Sequence, residues 1–218
     1  MSGRKASHPA AAEELPLRQR KKLLTRQRIS DVATRLFFER GFEEVTVAEV
    51  AEAAEVSAMT VFNHFPRKED LFLDRIPEGI ELATAAVRDR APDETPVAAL
   101  RRLALRLVDE GHPLSAVGHA PFWRIVYGSP ALRARLREGA DELEAALTAA
   151  IAAHPGGLPS DPQPRITAAL VVAAYRGACA TSLRRVFAGE AGDGVMVAHR
   201  ALLERVFGEL ERVLPLEG

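Results

Sequence analysis

Apolar residues recur at intervals of three and four along most of this chain, whereas the strict alternation that predicts strands is scarce. Intervals of three and four place apolar side chains on one face of a helix. We therefore predict an all-α fold. The first helix is predicted from about Thr25 to Arg40, with Gly41 as its stop. Its apolar face consists of Ile29, Val32, Ala33, Leu36 and Phe37.

A second, short helix is predicted after Thr46. Thr46 and Glu49 have the spacing of a capping box, in which the hydroxyl accepts a hydrogen bond from the backbone and the carboxylate reaches back. The apolar spacing that follows ends near Ala54, so this helix has fewer than ten residues.

A third short helix and a fourth follow closely. Ser57 is a suitable N-cap for a helix through about His64, and Pro66 closes that helix. The fourth helix is predicted to begin near Arg67 and to end or kink at Pro77.

Proline and glycine divide the rest of the chain into further helices. We place these near 78–90, 96–110, 120–128, 130–153, 163–188 and 195–213. The last two carry repeating rows of apolar residues: Ala169, Ala173, Gly177 and Ala180 in one, and Ala198, Leu202, Val206, Leu210 and Val213 in the other. Two long amphipathic helices at the end of a helical chain are typical of a dimer interface, and ordinary core packing is the alternative.

Charge is unevenly distributed, although the net charge is only −1 and the 47% hydrophobic content is ordinary for a globular protein. Six basic residues lie between Leu17 and the end of the first 28 residues: Arg18, Arg20, Lys21, Lys22, Arg26 and Arg28. We expect residues 1–20 to be a largely disordered tail. The basic segment is either a solvated tail or an arm that contacts phosphates.

A soluble cytoplasmic protein is the expected class. Cys179 is the one cysteine, which excludes an intrachain disulfide and a cysteine-built zinc site. The N-terminus lacks the apolar stretch of a signal peptide. Arg165, Arg176 and Arg184 interrupt the best candidate for a membrane span, so none is predicted.

The two short helices have the spacing of a helix-turn-helix. Ala51, Glu55 and Val61 occupy positions 5, 9 and 15 when Val47 is position 1. The second helix of the pair carries no acidic residue, which avoids repulsion of phosphate in a DNA groove. Its outward residues are predicted to be Ala58, Met59, Thr60, Asn63 and His64.

Several short motifs in this region occur together in one known family. They include the Thr46-Val47 helix start, the Val56-Ser57 turn, the run Thr60-Val61-Phe62-Asn63-His64-Phe65 and the run Lys68-Glu69-Asp70-Leu71. The whole segment from Arg28 to Leu73 resembles the N-terminal DNA-binding domain of the TetR family of transcriptional regulators. The rest of the chain is similar to that family only in length and helical character.

The resemblance implies a set of DNA-binding residues. Thr46 would bond a phosphate through its amide or hydroxyl, while His64 and Lys68 would clamp phosphate. Met59, Thr60 and Asn63 would face the bases. Ser57 and Ala58 complete the set at the start of the recognition helix, and Arg26 belongs to the basic arm.

Two residues depart from the family pattern. Glu55 stands where the turn usually has glycine, and a glutamate adopts a left-handed backbone only at some cost. Phe62 stands where the family usually has tyrosine, so one phosphate bond is missing. We interpret Phe62 as a core or packing residue.

The resemblance also implies a small-molecule effector that binds among the middle helices. Arg176 interrupts an apolar helix and must reach solvent, an acid or an anionic ligand. For any one of the pocket candidates, a plain core role is the favoured alternative. The candidates are Leu103, Leu107, Phe122, Trp123, Val126, Tyr127, Tyr175 and Arg176.

Catalytic motifs are missing from the sequence, and no cofactor is predicted. A metal site around His112 and His119 is a remote alternative, and Cys179 is interpreted as a buried small residue. We predict a homodimeric, ligand-responsive repressor of a palindromic operator. Its DNA-binding domain spans about 20–75, and residues 76–218 bind the effector and dimerise. A helical enzyme, a ligand carrier and a protein-recruiting module remain alternatives, and none of them predicts salt-dependent duplex binding.

Overall fold

Ten helices and no strand are found in the computed structural model, which describes residues 16–115, 117, 119–153, 161–190 and 193–214. The predicted all-α fold is confirmed. The chain forms two compact units, and the division lies between Asp74 and Arg75. The first unit contains α1 (Leu17–Arg40), α2 (Val47–Ala53), α3 (Ala58–His64) and α4 (Lys68–Phe72). The second contains α5 (Ile76–Arg88), α6 (Pro96–Asp109), α7 (Ala120–Gly128), α8 (Pro130–Ala152), α9 (Gln163–Phe187) and α10 (Asp193–Val213).

The first helix is longer than predicted. It begins at Leu17 and not near Thr25, so residues 17–20 are helical where we expected a disordered tail. Arg, Lys, Gln and Leu all have high helix propensity, and nothing after Pro16 breaks the run. The remainder of the predicted tail, residues 1–15, lies outside the described residues.

The prediction for Pro77 was wrong. The fourth helix ends at Phe72, and Pro77 lies in the first turn of α5. A proline is well placed there because the first backbone N–H groups of a helix have no partner within it.

A small aromatic core holds the first unit together. Ile29, Ala33 and Phe37 of the predicted α1 face are fully buried, and α1 packs against α2 and α4. The ring of Phe37 lies 5.1 Å from that of Phe42 and 5.6 Å from that of Phe72. Burying a side chain of this size contributes roughly 1.5–3 kcal/mol, so these contacts fix α1 as the platform for the shorter helices.

The second unit is built around α9, which packs against α7, α8 and α10. Leu147, Ala168 and Leu203 are almost completely buried where these helices meet. Helices α5 and α6 complete the layer, and α5 lies so close to α8 that a Cβ on Gly139 would be 2.8 Å from Ile76.

The buried row of α10 differs from the predicted one. Val195, His199, Leu203 and Phe207 are buried, with His199 Nδ1 2.8 Å from Ser182 Oγ of α9. The predicted row lies on a neighbouring face of α10. The buried face differs from it because α10 packs against both α6 and α9. Of the predicted row, Ala198, Leu202, Val206 and Leu210 are half-buried, and Val213 is exposed.

Helix α9 is long and apolar enough, by length and composition, to cross a membrane. The prediction that no segment qualifies was therefore wrong as a statement about composition. Core helices of soluble proteins meet the same criterion, so the finding is weak evidence for a span. Here Ala168, Val171 and Val172 of α9 belong to the core of the second unit.

Candidate nucleic-acid interface

The turn between α2 and α3 is a Schellman motif with Glu55 in the left-handed conformation. The backbone N–H of Val56 donates to the carbonyl of Ala51, and the backbone N–H of Glu55 donates to the carbonyl of Glu52. Each N–O distance is 3.0 Å. Glu55 has φ +53° and is the one described non-glycine residue with positive φ. This geometry is the helix-turn-helix crossing that the sequence predicted, adopted by glutamate at the position that favours glycine.

Thr46 begins α2 with the predicted capping box. Its backbone N–H and its hydroxyl both donate to one carboxylate oxygen of Glu49, over 2.7 and 2.8 Å. The pKa of Glu49 is lowered to about 2, first by the backbone bond from Thr46 and then by the Thr46 hydroxyl and Arg40, which lies 2.8 Å away. A phosphate bound by Thr46 would have to displace this carboxylate. The capping-box spacing of Thr46 and Glu49 in the sequence already implied this competition.

Ser57 caps α3 as predicted, and the helix has the predicted bounds. The Ser57 hydroxyl accepts a hydrogen bond of 3.1 Å from the backbone N–H of Thr60 and lies 2.9 Å from its hydroxyl. Val61 of α3 and Phe65, just after the helix, are both fully buried and anchor α3 to the core. The cap matters because a helix of seven residues does not form in isolation.

The outward face of α3 carries the residues predicted to meet bases. Ala58, Met59 and Asn63 are exposed, while Thr60 and His64 are half-buried. The interpretation of Phe62 as a core residue was wrong, because 47% of its surface is exposed. Val61 and Phe65 take the inward positions, and Phe62 is rotated away from them by the helical repeat.

Arg26 lies within the fold of the first unit and not on a free arm. Its guanidinium donates to the carbonyl of His64 over 2.6 Å and to the carbonyl of Asp74 over 3.3 Å. The same group lies 4.1 Å from the ring centroid of Phe65. Arg26 therefore caps the C-terminal end of α3 and ties it to α1, and we leave it out of the proposed phosphate contacts.

His64 ends α3 beside two cations of α1. Partial burial lowers its pKa, and the positive charges of Lys22 and Arg26 lower it further. Its imidazole is therefore predominantly neutral at pH 7, since the usual pKa is already about 6.5. The bond from Arg26 to the His64 carbonyl also places α1 beside this end of α3.

Lys68 opens α4 as predicted, but its ammonium group already has partners. It donates to the carbonyl of Glu43 over 3.3 Å and lies 4.4 Å from the ring centroid of Phe42. Lys68 thus stabilises the loop before α2, and a phosphate contact would be made from that position.

The predicted effector residues are dispersed in the second unit. Leu103, Leu107 and Val126 are buried core residues. Tyr175 packs at the edge of that core, while Arg176 is exposed and so reaches solvent. Of the three options given for Arg176, the exposed position shows solvent, and it gives no support to an anionic ligand.

The aromatic candidates form a cluster on α7, in which Phe122 and Trp123 are half-buried and Tyr127 is exposed. The ring centroid of Trp123 lies 5.2 Å from that of the adjacent Phe122 and 6.1 Å from that of Tyr127, one helical turn further along. Tyr127 in turn lies 5.7 Å from Phe187 of α9. A separate surface cavity of about 460 Å³ contains none of the predicted residues, and it is lined by Asp141, Glu144, Ala145, Thr148 and Arg165.

Other candidate chemistry has ordinary partners. Burial raises the pKa of the Cys179 thiol to about 12, so it is not a reactive thiolate. His112 accepts a hydrogen bond from the backbone N–H of Leu114 and lies 3.7 Å from Glu78. No group of three metal-ligating side chains occurs in the part of the chain that the structure describes.

Two family models match the two units. Residues 29–74 match the model of bacterial regulatory proteins of the tetR family, and residues 94–215 match the model described as the MftR C-terminal domain. The chain is also 36% identical over 166 residues to TcmR, an HTH-type transcriptional regulator of Streptomyces glaucescens. That match covers 73% of this chain and 74% of TcmR.

Solved structures share the fold at lower identity. NalD, the secondary repressor of the MexAB-OprM multidrug efflux pump in Pseudomonas aeruginosa, is similar with a TM-score of 0.52 and 22% identity. The match covers 86% of this chain and 96% of NalD. The structure of SmeT in complex with triclosan has a TM-score of 0.53 at 16% identity, covering 87% of this chain and 91% of SmeT.

Proposed function

This chain belongs to the TetR family of bacterial transcriptional regulators, and we propose that it is a ligand-responsive repressor that binds a palindromic operator as a homodimer. It is a DNA-binding regulator and not an enzyme. A regulator of bacterial genes acts in the cytoplasm, where the chromosome lies. The first unit reads DNA, and the second dimerises and binds the effector.

One observation carries the DNA-binding part of the proposal. Helix α3 is capped at Ser57 and anchored by Val61, and its exposed surface is free of acidic side chains. Successive residues of a helix are rotated by about 100°, so Asn63 lies on the side of α3 opposite to the buried Val61 and Phe65. An amide in that position is suited to bidentate hydrogen bonds with adenine in a major groove. Met59 and Thr60 flank it, while His64 and Lys68 lie towards the phosphates.

The dimer is proposed from the exposed face of α9. Ile166 and Leu170 are 45% and 40% exposed, and Ala173 and Gly177 continue the same row. An apolar row on a long helix favours burial against another helix, and the small residues allow close approach. A twofold dimer presents two copies of α3, so its operator is an inverted repeat.

The effector is proposed to contact the aromatic cluster of Phe122, Trp123 and Tyr127. The half-buried rings of Phe122 and Trp123, with the exposed ring of Tyr127 beside them, form a surface that suits an aromatic apolar molecule. SmeT was solved with triclosan, and NalD is named as a repressor. An effector that prefers the conformation with low DNA affinity would release the operator by shifting populations.

The first experiment selects bound duplexes from a random pool at two salt concentrations. We expect an inverted repeat, bound with an affinity that falls steeply as salt rises. Asn63→Ala should weaken binding to the selected operator by about tenfold and leave binding to a scrambled duplex almost unchanged. Gln27→Ala, which removes an exposed amide of α1 bonded to Asp31, is the matched control. Equal losses on both duplexes would contradict base reading by Asn63.

The effector proposal has its own assay. Trp123 is the sole tryptophan of the chain, so its fluorescence reports on the aromatic cluster alone. We expect triclosan, used as a probe, to quench it saturably and to weaken operator binding in the same concentration range. Tyr127→Ala should raise the probe concentration needed for both effects. Quenching with no change in operator affinity would contradict the coupling.

A further inference from the structure

The exposed face of α3 is chemically divided along its length. Relative to the inward direction of Val61 and Phe65, the helical repeat places Ala58, Met59 and Phe62 on one side and Thr60 and His64 on the other. Asn63 lies between them. One half of the face is therefore apolar and the other half polar.

The polar half is also the side with positive charge. The carbonyl of His64 accepts from Arg26, and the charge of Lys22 reaches the His64 ring. Phosphates therefore belong on this side of α3. By the helical repeat the apolar half lies on the other side of Asn63 from His64, where it would meet base edges if the phosphates lie beside His64.

Two large apolar side chains dominate the apolar half. Met59 is 68% exposed and Phe62 is 47% exposed, although buried positions on α3 are available to apolar residues. The two lie one helical turn apart, so their side chains are neighbours on the surface. No aromatic partner for Phe62 is described within the unit, in contrast with the ring contacts of Phe37, Phe42 and Phe72.

The major groove offers one apolar group that differs between bases, the C5 methyl of thymine. Apart from the small C5–H of cytosine, the other base-edge groups that distinguish the pairs are hydrogen-bond donors or acceptors, which neither a thioether chain nor a phenyl ring satisfies well. A helix with an apolar half therefore gains the most apolar contact area where thymine methyls face it.

We propose that Phe62 and Met59 are specificity-determining residues that read thymine methyl groups in each operator half-site. This inference rests on the proposed function and adds what the operator must contain. Asn63 supplies hydrogen-bond readout at the centre of the face, and the thymine contacts lie on its Phe62 side. Phe62 therefore has a role in recognition that needs no hydroxyl.

The test replaces each thymine of the selected operator by deoxyuridine. Deoxyuridine pairs as thymine does and lacks only the methyl group, so the hydrogen bonds of the groove are unchanged. We expect one or two positions per half-site to weaken binding by about three- to fivefold each, the effect of one buried methyl group. The remaining thymines should be insensitive.

Variants assign the methyl contact to its side chain. In Phe62→Ala or Met59→Ala, the ratio of the affinity for the thymine duplex to the affinity for the deoxyuridine duplex should fall to about one at the position that the lost side chain contacted. Phe62→Tyr keeps the ring and should keep the ratio. Phe38→Ala removes a partly exposed phenylalanine from α1 and is the control, with an unchanged ratio expected. Each ratio compares two duplexes with the same protein, so a loss of folded protein cancels.

Two results would overturn the inference. Uniform insensitivity to deoxyuridine on an operator that still binds selectively would exclude methyl reading. If the loss of affinity on replacing thymine by deoxyuridine persists in both Ala variants, then another residue contacts the methyl group, or the methyl group acts through DNA shape. Failure of the proposed function is a separate outcome, because no duplex would then be selected at all.

Discussion

Glu55 holds a backbone conformation that costs an L-residue about 1 kcal/mol relative to glycine. The Schellman bonds of Glu55 and Val56 require that conformation, since they close the end of α2. The side chain of Glu55 is exposed, so the carboxylate is not needed for packing. The strain is retained in a turn that sets how α3 is presented.

Replacing Glu55 by glycine should therefore stabilise the first unit. We expect Glu55→Gly to raise the free energy of unfolding by up to about 0.5 kcal/mol, because the greater freedom of glycine in the unfolded chain offsets part of the strain that is relieved. Glu52→Gly, an exposed position inside α2, is the matched control and should lower it by about 1 kcal/mol. Denaturant titration measures both. Destabilisation by Glu55→Gly would contradict the assigned strain.

His64 should make operator binding depend on pH. Burial and nearby cations lower its pKa in the free protein, whereas a DNA phosphate would raise it, so binding takes up a proton. Affinity should then rise as the pH falls from 8 to 6, and His64→Gln should flatten that rise.

The same shift affects stability with the opposite sign. The unfolded chain, with a pKa near 6.5, binds the proton more readily than the folded chain. The contribution of His64 to stability is complete above pH 6.5 and is lost as the pH falls towards the lowered folded value. Comparison with His64→Gln separates it from His199, whose pKa burial also lowers.

At the scale of elements, α3 depends on its cap. Ser57→Ala removes the acceptor for the Thr60 N–H and should lower the free energy of unfolding by about 1 kcal/mol. Ser57→Asp keeps an acceptor and should keep stability, but its negative charge beside the groove should weaken DNA binding by about tenfold at low salt. Thermal unfolding and duplex titration of both variants separate the two roles. If Ser57→Asp binds DNA as tightly as the unchanged protein, then no phosphate lies close to position 57.

Helix bounds followed from the sequence at glycine stops and hydroxyl caps, but not at Pro77, which a helix accepts in its first turn. Gly41 with φ +92° and the Ser57 cap mark ends that were predicted to within a residue or two. The start of α1 has no side-chain cap, and so its first turns could not be separated from a polar tail. Phe62 was misplaced because a helix of two turns offers too few apolar positions to define its inward direction. The proposed effector contacts depend on how α7 and α9 pack against each other, and the spacing of residues along one helix does not reveal that packing.

At the scale of the whole molecule, the exposed row on α9 should control assembly. Ala173→Glu places a charge in the proposed dimer contact and should raise the dimer dissociation constant at least tenfold. Ala149→Glu, at an exposed position of α8, is the matched control. Sedimentation measures the assembly state, and operator affinity should fall with it. A monomer that binds the full operator as tightly as the unchanged protein would contradict the dimeric reader.

The length of α1 bears on how this regulator finds its target. Residues 17–28 extend the helix by about 18 Å before the matched family segment begins. Because their positive charges, apart from that of Arg26, are held on a helix beside the recognition helix, little ordering entropy is lost when that helix meets any stretch of phosphate backbone. The protein should thus spend most of its search time sliding and hopping along the chromosome. Trimming these charges should shorten its dwell time on random DNA more than its dwell time on the operator.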